Sequence, residues 1–205
     1  MESNLVYASF ILDESGSMNS CFNQTVEGFN GYIESLLDKE DSNKIRFTLT
    51  KFNSMKTNVE YNGILLMDVP ILSRDNYNPT GGTPLYDAIG KTINSLSKNG
   101  NKNLVVIQTD GEENCSSEFT FKDITKLMKD RTDEGWTFVF LGADQDAWET
   151  GRSFGISSGN IMSYASSDTS KMYNDLSRAT ACFAYNGGGQ QTNEFFTESN
   201  TEESD

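Results

Sequence analysis

Apolar runs alternate along this chain with stretches whose apolar residues recur at helical spacing. The run from Leu5 to Leu12 is continuous enough for a strand buried on both faces and reads as a first, central strand. Behind it, Val26, Phe29, Ile33, Leu36 and Leu37 share one helical face, which predicts a helix over 22–38 covering the sheet. Residues 45–53, Ile-Arg-Phe-Thr-Leu-Thr-Lys-Phe-Asn, alternate apolar and polar. They predict a less buried strand, paired hairpin-fashion with another at 59–67.

The second half repeats the theme. Thr83-Pro84 reads as a hydroxyl N-cap followed by proline at the first helical position, and Leu85, Ala88, Ile89, Ile93 and Leu96 form a stripe over a helix at 84–97. A buried strand follows at 103–109, a helix at 121–132 through Ile124, Leu127 and Met128, and a strand at 136–141. A short helix at 146–154, a strand at 160–165 and a helix at 168–185 complete the pattern. Strands alternating with helices predict an α/β fold, a Rossmann-like, doubly wound and mainly parallel sheet flanked by helices. From Asn186 the chain turns polar and glycine-rich with little to bury, so the expected organisation is one domain over 1–185 and a flexible acidic tail over 186–205. Within that tail Phe195-Phe196 is either a stray aromatic pair or a docking segment.

At 205 residues the chain suits one domain with a full core. Its formal net charge of −14 argues against sequence-independent binding to nucleic acid or to anionic membranes, and leaves protein as the expected partner. No apolar run approaches the roughly 20 residues that span a bilayer, and residues 1–4 carry no basic leader, so a cytoplasmic protein is expected. Three widely spaced cysteines, Cys21, Cys115 and Cys182, form neither a zinc pattern nor a disulfide framework and read as reduced thiols. Histidine is absent, which removes Ser-His-Asp and Cys-His triads and the commonest zinc ligand.

Candidate chemistry lies where strands end. Asp13-Glu14-Ser15-Gly16-Ser17 closes the first strand, Gly81-Gly82-Thr83-Pro84-Leu85 opens a helix, and Thr109-Asp110-Gly111 closes the run Leu104-Val105-Val106-Ile107. Carboxylates and hydroxyls are hard oxygen donors that select Mg²⁺, Mn²⁺ or Ca²⁺ over softer metals. Taken singly, each motif is an ordinary cap or turn, and Thr83 is expected to cap its own helix. Ligands of open α/β sheets sit beyond the carboxyl ends of the strands, where strand order reverses, so these three segments can converge on one point.

This trio resembles the metal-ion-dependent adhesion site of von Willebrand factor type A domains, and the resemblance covers roughly residues 4–182. It implies that Ser15 and Ser17 are direct ligands through their hydroxyls, and that Asp13, Thr83 and Asp110 bind directly or through water. It also implies a divalent ion, Mg²⁺ first with Mn²⁺ or Ca²⁺ as alternatives, and an open coordination position filled by a Glu or Asp of a partner protein. Two aspartates supply at most two negative charges, so an arriving carboxylate strengthens the ion's coordination, and metal and partner raise each other's affinity. Rim residues would be Glu14, Met18, Cys21, Phe22, Tyr86, Glu112, Glu113, Asn114 and the loop Asp144-Gln145-Asp146. A ring of acids favours a partner carboxylate set in a basic patch. Cys21 and Cys115 follow two of the motifs and either pack separately or lie close enough to bridge on oxidation.

Two other functions compete with a binding module. A metal-dependent phosphohydrolase would use the same carboxylates, yet no histidine base, no basic clamp within the motifs and no G-x-x-x-x-G-K loop accompany them. A dinucleotide-binding protein would need G-x-G-x-x-G in the first strand-to-helix turn, where this chain places an aspartate that repels pyrophosphate.

Overall fold

β1 (Val6–Asp13), β2 (Ile45–Asn53), β3 (Lys56–Leu65), β4 (Lys102–Thr109), β5 (Thr137–Ala143) and β6 (Ile161–Tyr164) form one sheet in the order β3-β2-β1-β4-β5-β6. The computed structural model describes residues 5–39, 42–96, 102–143, 147–165, 168–186 and 190–197. All neighbouring strands are parallel except β2 and β3, which run antiparallel. Strand order reverses beside β1, where Phe10 lies opposite Leu49 on one side and Val106 on the other. β1 and β4 therefore deliver Asp13 and Thr109 side by side at their carboxyl ends, at the crevice an open sheet offers to a ligand.

Both faces of the sheet are covered, which is why its central strands are continuously apolar. Phe10, Leu12, Val106 and Leu141 pack beneath α1 (Phe22–Leu37) and α5 (Thr169–Ala181), with Phe29, Tyr32, Met172 and Leu176 completing that layer. Ile11, Val105, Ile107 and Phe140 face α2 (Leu85–Ser95), α3 (Phe121–Asp133) and α4 (Ala147–Ser153). α1 and α5 approach closely because residue 28 is glycine; a Cβ there would overlap the ring of Tyr173.

The elements follow the predicted order, although β2, expected to be less buried, is buried at every position but Arg46 because both faces of the sheet are covered; two further differences are informative. β3 begins at Lys56, earlier than the pattern predicts, because Asn53 Oδ1 accepts the N–H groups of Met55 and Lys56 at 2.9 and 3.1 Å and tightens the turn. The second concerns the expected free tail. α5 ends in a π-helical turn (Cys182–Asn186), and residues 190–197 then lie against the domain. Phe195 is buried with its ring centroid 6.0 Å from that of Phe183. Asn160 holds the segment on both sides: its Nδ2 donates to Thr192 O at 2.9 Å, and its Oδ1 accepts the N–H of Phe195 at 3.0 Å. A single aromatic side chain buries enough apolar area to fix a short segment whose backbone groups are also satisfied. Among the described residues no helix is long and apolar enough to cross a membrane.

Candidate metal centre

Asp13 emerges from β1 fully buried. Its Oδ1 accepts the N–H of Ser15 at 2.7 Å and its Oδ2 accepts the hydroxyl proton of Thr109 at 2.6 Å. The Thr109 hydroxyl in turn accepts the N–H of Gly111 at 3.1 Å, so one side chain shapes the turn after β4 and orients the aspartate of β1. Burial raises the Asp13 carboxyl to about 6; its bonds from Thr109 and Ser15 pull it down, and the nearby Asp110 adds to the rise.

Beyond Asp13 the hydroxyls form a chain. Ser15 Oγ lies 3.1 Å from Ser17 Oγ, and Ser17 Oγ donates to Asp110 Oδ1 at 2.6 Å. Thr83 joins them from the third segment: a Cβ placed on Gly111 would stand 3.2 Å from Thr83 Oγ1 and 3.6 Å from Ser17 Oγ. The five residues singled out in the sequence therefore meet at one place, with Ser17 exposed, Asp110 half-buried and the other three buried. The donor set is all oxygen, carries up to two negative charges and lacks nitrogen or sulfur, which is the chemistry a hard divalent cation requires.

The loop carrying Thr83 is fastened to the first motif through backbone atoms. Tyr77 donates its hydroxyl to Asp13 O at 2.8 Å, while the N–H of Thr80 reaches Glu14 O and that of Gly16 reaches Gly81 O, each at 2.9 Å. Gly81 has φ +74, and a Cβ there would also collide with Ser54 Oγ, so glycine is required on both counts.

The family model for the von Willebrand factor type A domain matches residues 9–179. The chain belongs to the von Willebrand factor type A domain family. Its structure is similar to that of proximal thread matrix protein 1 from the mussel byssus, at 15% identity and a TM-score of 0.61, over 85% of this chain and 46% of that one. The chain thus spans about half the length of that relative. It is also similar to the vWF domain of the type V pili tip protein Mfa5 from Porphyromonas gingivalis, at 9% identity and a TM-score of 0.67, over 94% of this chain and 98% of that one. A further structure of the mussel protein, described with a zinc-occupied MIDAS motif, is similar at 15% identity and a TM-score of 0.57, over 87% of this chain and 48% of that one. No curated protein sequence matches the chain.

Several residues of this type A domain depart from the roles their sequence positions suggest. Thr83 does not cap α2. Pro84 occupies the N-cap position, and the first-turn N–H groups of Tyr86 and Asp87 are satisfied from another loop, by Glu113 Oε2 at 3.0 Å and Ser116 Oγ at 3.1 Å. Glu113 is consequently a structural cap, also accepting the N–H groups of Cys115 and Ser116 at 2.8 and 2.7 Å. Glu14 is not at the rim either. Only 1% exposed, it accepts the N–H of Asn78 at 2.7 Å and faces Lys51 and Lys56 at 3.9 and 3.6 Å. Met18 and Cys21 are buried, and Phe22 lies under the guanidinium of Arg74, 4.2 Å from its ring centroid.

Tyr86, Glu112 and Asn114 do reach the surface around the site, and Asn114 Oδ1 accepts the N–H of Thr83 at 2.9 Å. The loop Asp144-Gln145-Asp146 lies outside the described residues. Cys21 is buried beside Met18 and Thr25, whereas Cys115 is exposed, so the two pack in separate settings. Sequence reading quoted Thr109 within its motif without giving it a role, and missed Tyr77 and Asp87. Asp87 is the clearest of these omissions, because its carboxylate collects the N–H groups of Ser117, Glu118 and Phe119, each at 2.9 Å, and so pins the loop that follows Asp110. The short spacing of Asp87 from Thr83 is helical and carries no signal of that distant partner.

Proposed function

We propose that this type A domain docks a partner protein through a divalent ion, Mg²⁺ first, held by Ser15, Ser17 and Thr83 with Asp13 and Asp110 binding directly or through water. The partner completes the coordination with a Glu or Asp side chain. The observation that carries this reading is the continuous hydroxyl–carboxylate chain Ser15, Ser17, Asp110, built from two segments far apart in sequence. When bound, the ion supplies positive charge that accepts an incoming carboxylate; the protein's residues hold and orient it. Asp13, fixed through both oxygens, is suited to positioning the loop and neutralising the ion.

The surroundings favour a basic setting for the partner's acid. Glu112, Glu113 and Glu149 line a cavity of about 380 Å³ with Tyr86 and Phe154, next to the helix that begins after Thr83. A lone carboxylate approaching these acids is repelled, whereas one flanked by Lys or Arg is not. Catalysis is disfavoured on the chemistry of the chain. It contains no histidine, and Lys51 and Lys56, which reach the first motif, are turned toward the buried Glu14. We therefore place a phosphohydrolase second and assign the protein a non-enzymatic role in the cytoplasm, without nucleic-acid or membrane partners.

Isothermal titration with Mg²⁺ tests the ion site. Asp110→Ala should weaken binding at least tenfold with the melting transition intact, and unchanged affinity would remove the assignment. Affinity capture in Mg²⁺ and in EDTA tests the bridge: a partner retained equally in both refutes it.

A further inference from the structure

A second cavity, of about 440 Å³, opens at the amino ends of β5 and β6, whereas the oxygen cluster stands at the carboxyl ends of β1 and β4. Its walls are Met128 and Thr125 of α3, Trp136 and Phe138 at the start of β5, and Phe154 and Ile156 after α4. Trp136 and Phe138 stack with centroids 6.3 Å apart and an interplanar angle of 26°. Arg131 covers Trp136, its guanidinium carbon 5.5 Å from the ring centroid, and helps hold the indole in place. The remaining wall comes from Gln191 and Asn193, in the segment that Asn160 clamps to the sheet.

The polar groups at this cavity are unlike those at the metal centre. Lys129 and Asp133 pair at 2.5 Å and cancel. Arg152 remains: its Nε donates to Ser158 Oγ at 3.1 Å, and no carboxylate of the described residues pairs with it. On a chain of net charge −14, this is an aromatic-walled cavity with a cation at its edge. Volumes of roughly 300–1,000 Å³, mainly apolar walls and a few oriented polar groups are the general properties of small-molecule sites.

We propose that this cavity binds a small aromatic acid, its ring system against Trp136, Phe138 and Phe154 and its anionic group at Arg152. Apolar burial supplies affinity and the guanidinium selects the acid over a neutral analogue. The site is independent of the divalent ion, so its success or failure is separable from the metal-bridge reading.

Naphthalene-2-carboxylate and its neutral counterpart naphthalene-2-methanol are the probes, titrated into the full chain in EDTA and in Mg²⁺. Binding is followed by calorimetry and by the indole N–H resonance of Trp136, distinguished from that of Trp148 with Trp148→Phe. The expected result is saturable one-to-one binding of the acid, equal in EDTA and Mg²⁺, with a shifted Trp136 resonance. Arg152→Gln should weaken the acid about tenfold, or about 1.4 kcal/mol, and leave the alcohol unchanged. Thr125→Phe, which fills the cavity from α3, should abolish both. Absence of saturable binding by about 1 mM, a scale of only about 4 kcal/mol, would overturn the proposal. So would equal losses of acid and alcohol in Arg152→Gln, or unaltered binding in a folded Thr125→Phe variant.

Discussion

Thr109 on β4 donates its hydroxyl proton to Asp13 Oδ2 on β1 at 2.6 Å, joining two adjacent parallel strands where the winding of the sheet reverses. The bond turns the carboxylate toward β4 while Ser15 holds its other oxygen, and leaves the hydroxyls of Ser15 and Ser17 beside Asp110. An isosteric Thr109→Val change removes this donor with little change of shape. The Asp13 carboxyl, already raised to about 6, should rise further. Mg²⁺ affinity should fall several-fold near pH 6.5, with the deficit shrinking by pH 8, where Asp13 is ionised in both proteins. Calorimetry at the two pH values checks this, and an equal deficit at both would show that the bond acts through geometry alone.

The raised Asp13 carboxyl also makes the metal-free protein less stable as pH rises out of the mildly acidic range. Because burial lifts its folded value from 3.8 to about 6, its contribution to stability is full below 3.8 and is lost as pH rises through 6. In EDTA, the wild type should lose about 1 kcal/mol relative to Asp13→Asn between pH 5 and pH 7. Urea denaturation of both proteins at those pH values measures the difference; parallel curves would contradict it.

Asp87 behaves in the opposite sense. Burial pushes its carboxyl up, but the N–H groups of Ser117, Phe119 and Glu118 outweigh that and hold it below the ordinary 3.8. Its contribution is present above 3.8 and is lost as pH falls through the lower folded value. Asp87→Asn should cost about 2–3 kcal/mol at neutral pH through weakened charge-assisted bonds. Chemical denaturation and hydrogen exchange at Ser117 to Phe119 report the loss and place it in the loop after β4.

Phe195→Ala tests the docked C-terminal segment. Removing a buried phenylalanine from its contact with Phe183 should destabilise the protein by about 3 kcal/mol and expose residues 190–197 to limited proteolysis. Wild-type stability in the variant would return this segment to the free tail that its polarity suggests.

The order of strands and helices was legible because it rests on periodicity, a local property. Leu5 to Leu12 is apolar except at Ser9 and Leu104 to Ile107 is apolar throughout, as suits strands covered on both faces, and the stripe from Leu85 to Ile93 has helical spacing. The oxygen side chains of the candidate site were legible for a related reason: two of their three motifs close those strands, so locating the strand ends also located Asp13 and Asp110. What the tertiary structure decided are relationships between distant segments. The sequence around Thr83 favours a cap, yet Glu113 and Ser116 take over that task across the site. Glu14 sits in a motif of exposed chemistry but turns inward to Lys51. Phe195 lies in a polar tail and still enters the core, because burial depends on whether a matching hollow and backbone partners exist elsewhere, here at Phe183 and Asn160. Local pattern sets which elements form, whereas which polar atom satisfies which is fixed only when the packed sheet brings them within hydrogen-bonding distance.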